Sequence, residues 1–251
     1  MIEVVDGAPL VIAANRDELY ERPTRPPELL QAEPKIAGGV DELSGGTWLA
    51  VRADGHFAAV TNQRALATPP PGLRSRGLAV RELAASTDPD AYVAGLDPAS
   101  YASMNLAWRS GRGVKVAYTR REHASIEIET LGRGVHVLCN DRLGADGFPR
   151  GERLRRTIET SLDEGVRWPA LVAPLAIALA DHTRVALEDT PPSHLPRELA
   201  RELTATCIHS PAYGTRSSTI LALDHARVID YLHANGPPCT TELVDRRSLL
   251  R

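Results

Sequence analysis

Two apolar runs that read as strands stand near opposite ends of this chain, and any fold has to place both. "LVIAA" begins at Leu10, and "SSTILALD" begins at Ser217. Each is short, apolar and bounded by polar residues, the pattern of a strand with little solvent contact. Between them lie further strand-like runs and two helices, and the C-terminal third turns helical until about Thr206. A chain built this way closes most simply by bringing both ends into one sheet system. That predicts one α+β domain over residues 1–251 in place of two separate ones. At 251 residues the chain can bury a sizeable core, and with only two Phe that core must be filled by Val, Leu, Ile and Ala.

The first half reads as strands. "IEVV" and "LVIAA" flank a turn at Asp6-Gly7, and Trp48–Arg52 and His56–Thr61 flank one at Asp54-Gly55. The Pro-rich stretch 22–34 between these hairpins reads as a surface connection. Ser75 to Ala85 carries helical spacing, and a second helix is expected with Asp88 as N-cap and Pro89 at its first position. Strands then return in "MNLAWRS", "GVKVAYT", "SIEIETL" and "VHVLCN". In the third of these Ile126 and Ile128 alternate with Glu127 and Glu129. Helices are expected over 151–162, 170–180 and 196–206, followed by the closing strands "SSTILALD" and "ARVIDYLHA".

Several function classes are excluded on composition. A net charge of -3 gives no reason to expect nucleic acid or an anionic membrane as partner. The longest mostly apolar run, residues 169–180, is too short for a bilayer, which takes about 20 residues. No signal peptide precedes the first strand, so a cytoplasmic location is expected. Cys139, Cys207 and Cys239 are odd in number and lack C-x-x-C spacing, and the eight His are dispersed. Neither a disulfide framework nor a metal site is expected, and no cofactor. Cys207 and His209, two apart, could form a nucleophile pair, although nearness in sequence rarely makes a dyad. Phosphate-binding and hydrolase-elbow signatures are absent.

What stands out is polar residues where strands should end. Asn15-Arg16-Asp17-Glu18 follows "LVIAA", Thr61-Asn62 follows "FAAV", Asn140-Asp141 follows "VHVLC", and "YGTRSST" leads into the last apolar run. Converging on one sheet rim, Asn amides can donate to an oxyanion and Arg can hold a carboxylate or favour a thiolate. Against this stands the plain preference of Asn and Asp for turns.

"AANRDE" with "RP", "GGTWLAV", "AAVTN", "SRG", "MNL" and "YGTRSST", in that order between Leu10 and Leu223, resemble the NRDE family, whose eukaryotic members are called transport and Golgi organization proteins. The resemblance implies an N-terminal nucleophile hydrolase-like fold, a four-layer αββα sandwich of two antiparallel sheets. It also implies hydrolysis of an amide or thioester bond in a small substrate, with the first residue of the mature chain as nucleophile and its own amine as base. Family members typically begin Met-Cys; here position 2 is Ile2. Either a start lies further upstream, or catalysis has been lost and the pocket binds a haem or an acyl group, as the family's links to lipid and haem trafficking imply.

By the same resemblance Arg16 would lower a thiol's pKa and Asp17 would bond the amine. Asn62 and Asn140 would contact oxyanion and amine, and Arg216 would pair with Asp17 or Glu18. Glu18 or Asn15 could hold one of these roles instead, or contact substrate. Trp48 is expected as a core anchor, with pocket lining as its alternative. No His or Cys has a recognisable haem-binding setting.

Overall fold

The computed structural model describes residues 1–64, 70–162 and 165–251. In chain order its first strands are β1 (Leu10–Leu19), β2 (Thr24–Ala32), β3 (Lys35–Asp41), β4 (Leu49–Arg52) and β5 (Phe57–Asn62). Helices α1 (Arg76–Ala85) and α2 (Pro89–Ala94) follow, then β6 (Met104–Ser110), β7 (Gly113–Arg120) and β8 (Ser125–Leu131). Next come α3 (Pro149–Thr160), α4 (Val172–Leu179) and α5 (Arg197–Glu202), and last β9 (Tyr213–Leu223), β10 (Val228–Ala234) and β11 (Val244–Asp245). Strands β2 to β8 form one antiparallel meander in sequence order. The second sheet runs β1-β9-β10-β11, so the two ends of the chain do meet, with Leu10 opposite Leu223.

Side-chain alternation turns these sheets into four layers. Leu10, Leu221 and Leu223 of the small sheet meet Leu49, Val51, Phe57 and Val114 of the large one in a core between the sheets. Their neighbours Val11, Ile220 and Ala222 point the other way, onto Leu171, Leu175, Leu179 and Ile158 around α3 and α4. On the far side of the large sheet Ala50, Ala58 and Trp108 pack on Ala79, Val80, Leu83 and Val93 of α1 and α2. The order is helix, sheet, sheet, helix, as the sandwich requires. Local chemistry explains the first helices: Ser75 accepts from the Gly77 N–H at the start of α1, and Asp88 accepts from Ala91 before Pro89 opens α2.

Several elements differ from expectation. β1 does not stop before Asn15; it continues through Glu18 to Leu19, paired to β9 throughout. The Pro-rich stretch is β2, the edge of the large sheet, where a missing N–H costs no ladder bond. Its register breaks between Arg25 and Glu28, around Pro26 and Pro27. Of "IEVV" only Ile2 bridges, to Leu10 and Gly134. "VHVLCN" joins no strand: Cys139 O accepts from the side chains of Thr61 (Oγ1, 2.9 Å) and Asn105 (Nδ2, 3.3 Å), and Asn140 O from the Arg64 N–H at 2.6 Å. The last helix is shorter than read, ending at Glu202.

Candidate functional site

The site grows from a β-bulge. Arg16 lies opposite Ser217 and Asp17 opposite Thr215, so Arg216 is an extra residue on β9. A bulge bends its strand and re-aims the side chains around it. Here it divides the charged tetrapeptide of β1 into two groups with separate partners.

Asn15 and Asp17 are fully engaged with the helical layer. Asn15 Nδ2 donates to the carbonyls of Leu179 at 2.8 Å and Thr206 at 2.9 Å, and its Oδ1 accepts from Ser218 Oγ at 2.8 Å. Asp17 accepts from Thr215 Oγ1 at 2.7 Å and pairs with Arg150 Nη1 at 3.2 Å. Arg150 Nη2 donates to Asn140 Oδ1 at 2.8 Å, and Asn140 Nδ2 donates to the Asn62 carbonyl at 2.9 Å. Burial pulls the Arg150 pKa down, but Asp17, together with Cys139 and Tyr213, outweighs it and holds the guanidinium above its ordinary value. A chain of bonds thus links β1, α3, the segment before it and the end of β5.

Arg16 faces a different environment. Its side chain is 7% exposed and lies over the Trp48 ring at 4.3 Å, with Glu18 Oε2 at 3.8 Å. Burial pulls its pKa below the ordinary value, opposed by Glu18 and Asp41 and aided by Arg216 and Arg22. Stacking on Trp48 contributes about 1–2 kcal/mol for a desolvated cation. Arg16 Nη1 is buried and has no hydrogen-bond partner. An unsatisfied buried donor on a charged group costs at least about 1–3 kcal/mol, so its persistence calls for an explanation.

Beside it lies a cavity of about 280 Å³, whose lining residues include Arg16, Tyr20, Trp48, Arg216, Ser217 and His233. Three of these side chains carry a buried polar atom without a partner: Arg16 Nη1, Ser217 Oγ and His233 Nε2. The other ring nitrogen of His233 meets Thr219 Oγ1 at 2.9 Å. Burial, with a smaller push from Arg246, takes the His233 pKa down to about 4, so the imidazole is neutral at pH 7. A buried cation, a hydroxyl and a neutral imidazole make a donor set matched to a carboxylate or phosphate. A larger hollow of about 540 Å³ opens beside Glu3–Pro9, but none of the unpartnered buried atoms lines it.

The expected site residues therefore fall into two clusters. Asp17, Asn140 and the backbone of Asn62 join through Arg150, while Arg16, Trp48 and Arg216 line the cavity, with Glu18 near Arg16 but not among the lining residues. Asn62 takes part only through its carbonyl. Arg216 pairs with neither Asp17 nor Glu18. As the bulged residue, its Nη1 donates to the carbonyls of Leu19, Tyr20 and Arg22 at 2.8, 2.9 and 3.2 Å. Glu18 lies near Arg22 at 3.7 Å, and Arg22 is held by Asp41. Trp48 serves both expected purposes: it packs partly into the inter-sheet core and walls the cavity, its ring so close to Gly39 that a Cβ there would sit 2.3 Å from it.

Sequence reasoning missed Arg150, Ser217 and His233. Arg150 left a signal: it directly follows Pro149 at the start of α3, where the helix dipole favours an anion. Ser217 lies within "YGTRSST", which stands out without pointing to a role for it, and His233 left no signal. The His residues are dispersed along the sequence, but in space His182, Cys207, His209 and Cys239 bring their ligand atoms within 4.8 Å of one another.

The family model described as Transport and Golgi organisation 2 matches residues 3–235. The Transport and Golgi organization protein 2 homologs of Bos taurus and Homo sapiens are each 28% identical to this chain, covering 86% of it and 82% of themselves. Among solved structures, a mutant conjugated bile acid hydrolase from Clostridium perfringens superposes with a TM-score of 0.52 at 9% identity, covering 96% of this chain and 90% of its own. Penicillin V acylase from Agrobacterium tumefaciens gives 0.45 at 13% identity, covering 94% and 82%. The fold is N-terminal nucleophile hydrolase-like.

Proposed function

This chain belongs to the Transport and Golgi organisation 2 family, and we propose that its cavity binds a small acyl compound bearing an anionic group and that the protein hydrolyses an amide or thioester bond in it. One observation carries the reading: Arg16 is buried, lacks a partner on Nη1, and shares its cavity with two other unpartnered polar atoms. Their cost is relieved when a ligand supplies the acceptors. The likeness in fold to a bile acid hydrolase adds support for the reaction class.

On this reading Arg16 orients the anionic end of the substrate. Position 2 is Ile2 and no cysteine is among the described residues that line the cavity, so no thiol nucleophile is assigned. Asp17, Arg150 and Asn140 hold the rim of the site. His233, neutral at pH 7, accepts or donates one hydrogen bond through Nε2.

The test follows thiol or amine release from a panel of acyl thioesters and N-acyl amino acids, with direct binding of the free acids measured in parallel. Arg16→Met should keep the fold and lose roughly 10–100-fold in kcat/KM or affinity, the worth of one charge-assisted bond. A full-length protein that neither turns over nor binds any member of the panel sinks this reading.

A second reading, carriage of an acyl group or haem without chemistry, is favoured by the free Nε2 of His233, since an imidazole nitrogen is a common axial ligand. Haemin titration decides it. A Soret shift lost in His233→Ala supports carriage of haem, and a shift indifferent to that change refutes it.

A further inference from the structure

Away from that cavity, four side chains from three segments meet at one point. His182 follows the end of α4, Cys207 and His209 lie in the extended stretch before β9, and Cys239 lies in the turn after β10. Cys207 Sγ is 3.8 Å from Cys239 Sγ and 3.7 Å from His209 Nε2, while His209 Nε2 is 3.3 Å from Cys239 Sγ. The His182 and His209 rings are 5.0 Å apart, centre to centre.

These separations have a simple geometric meaning. With metal–sulfur bonds of about 2.3 Å and metal–nitrogen bonds of about 2.0–2.1 Å, a tetrahedron places its sulfurs about 3.8 Å apart and each sulfur about 3.5 Å from a nitrogen. The three separations among Cys207, His209 and Cys239 match, and the ligand atom of His182 lies within 4.8 Å of the other three. The sulfurs stand well beyond the about 2.05 Å of a disulfide. We propose that His182, Cys207, His209 and Cys239 form a tetrahedral Zn²⁺ site.

The surroundings favour ligation over incidental packing. His182 Nδ1 lies 3.0 Å from the Cys207 carbonyl. Since a carbonyl only accepts, Nδ1 carries the proton and Nε2 keeps its lone pair, the tautomer fixed in the way metal-bound imidazoles usually are. The Asp181 carbonyl accepts from the N–H groups of both Thr206 and Cys207, locking the two segments in register. Cys207 is buried at 1% exposure, two residues before His209, which bridges to Gly214 of β9. Two soft thiolates with two imidazoles select zinc over magnesium or calcium. On binding, both thiols release their protons to solvent and the site becomes neutral overall. Four protein ligands leave no open position, so the role is structural: the ion ties the end of α4 to the lead into β9 and to the turn following Gly236 and Pro237, which wall the cavity.

The test uses the full-length chain. Elemental analysis after purification, or after anaerobic reconstitution with Zn²⁺, should find about one zinc per chain. Co²⁺ substitution should give tetrahedral d–d bands with thiolate charge transfer. Cys207→Ser should abolish the stoichiometric metal, whereas Cys139→Ser should keep it. If Cys207→Ser fails to fold, the Co²⁺ spectrum of the unaltered protein still decides. A folded chain that takes up neither ion, or one in which mass spectrometry finds Cys207 and Cys239 joined as a disulfide under native conditions, overturns the proposal.

Discussion

Adjacent residues of β1 live in opposite circumstances. Asn15 and Asp17 reach the helical layer and have their bonding capacity met by Leu179, Thr206, Ser218, Thr215 and Arg150. Arg16, between them, stacks on Trp48, approaches Glu18 loosely and leaves Nη1 unmet. The difference teaches how to divide a charged cluster: bonded members hold the structure, and the member left open is the one the proposed ligand would engage. The same division applies to buried histidines. His56 and His233 both carry an unpartnered Nε2, but only His233 borders the cavity.

Acid gives the largest expected effect. Burial lowers both His56 and His233 from 6.5 to about 4, with neighbouring arginines adding to it. Between those values the unfolded chain binds more protons than the folded one, so stability is complete above pH 6.5 and is lost as pH falls toward about 4. Each histidine contributes about 3 kcal/mol to this loss, about 6 together. Urea unfolding at pH 7 and pH 4.5 measures the sum, and NMR titration assigns the shares. A saturating anionic ligand should raise the midpoint of His233 and leave that of His56 alone. Equal shifts of both, or none, would erase the distinction between a histidine at the site and one in the core.

Removing the cation that completes the bonded cluster comes next. Arg150→Met leaves Asp17 with only Thr215 and strips Asn140 of its donor. The pair is mostly buried, 18% and 14% exposed, so a loss of about 3 kcal/mol is expected, at the low end for a broken buried pair. The midpoint of urea unfolding should fall with an unchanged slope. A loss no greater than that of a surface pair, about 1 kcal/mol or less, would mean that the Asp17 cluster is not holding the layers together.

Much of this architecture was legible in the sequence where the cause is local. The hairpin of β4 and β5 follows from alternation around Asp54-Gly55, and α1 and α2 follow from Ser75 and Asp88. β2 was hidden because proline argues against a ladder, and only an edge position excuses it. "VHVLCN" carries a strand's apolar pattern, but pattern does not reveal whether carbonyls will find N–H groups or side chains such as Asn105 and Thr61. The site was half legible. Arg16, Trp48 and Arg216 were singled out by residue type, whereas the partners that decide their roles, Arg150 for Asp17 and backbone carbonyls for Arg216, come from distant segments. Spacing along the sequence did not show the His182, Cys207, His209 and Cys239 cluster for the same reason: its members come from separate segments, after α4, before β9 and after β10.

The smallest expected effect is also the one that separates the two halves of β1 most cleanly. Arg16→Met removes a buried charge whose closest carboxylate, Glu18, lies at 3.8 Å and whose Nη1 bonds nothing. Met has similar length, keeps contact with the Trp48 ring through its sulfur, and carries no donor to be left unmet. Losing the stacking with Trp48 costs about 1–2 kcal/mol, and relieving an unsatisfied, desolvated guanidinium returns a similar amount. Glu18 keeps Arg22 at 3.7 Å and is not stranded. Stability should therefore change by less than about 1 kcal/mol in either direction, read from the urea midpoint beside Arg150→Met. A loss of about 3 kcal/mol or more would place Arg16 with Asp17 as scaffold, since a group that the fold needs for its own cohesion cannot also be the one held open for a ligand.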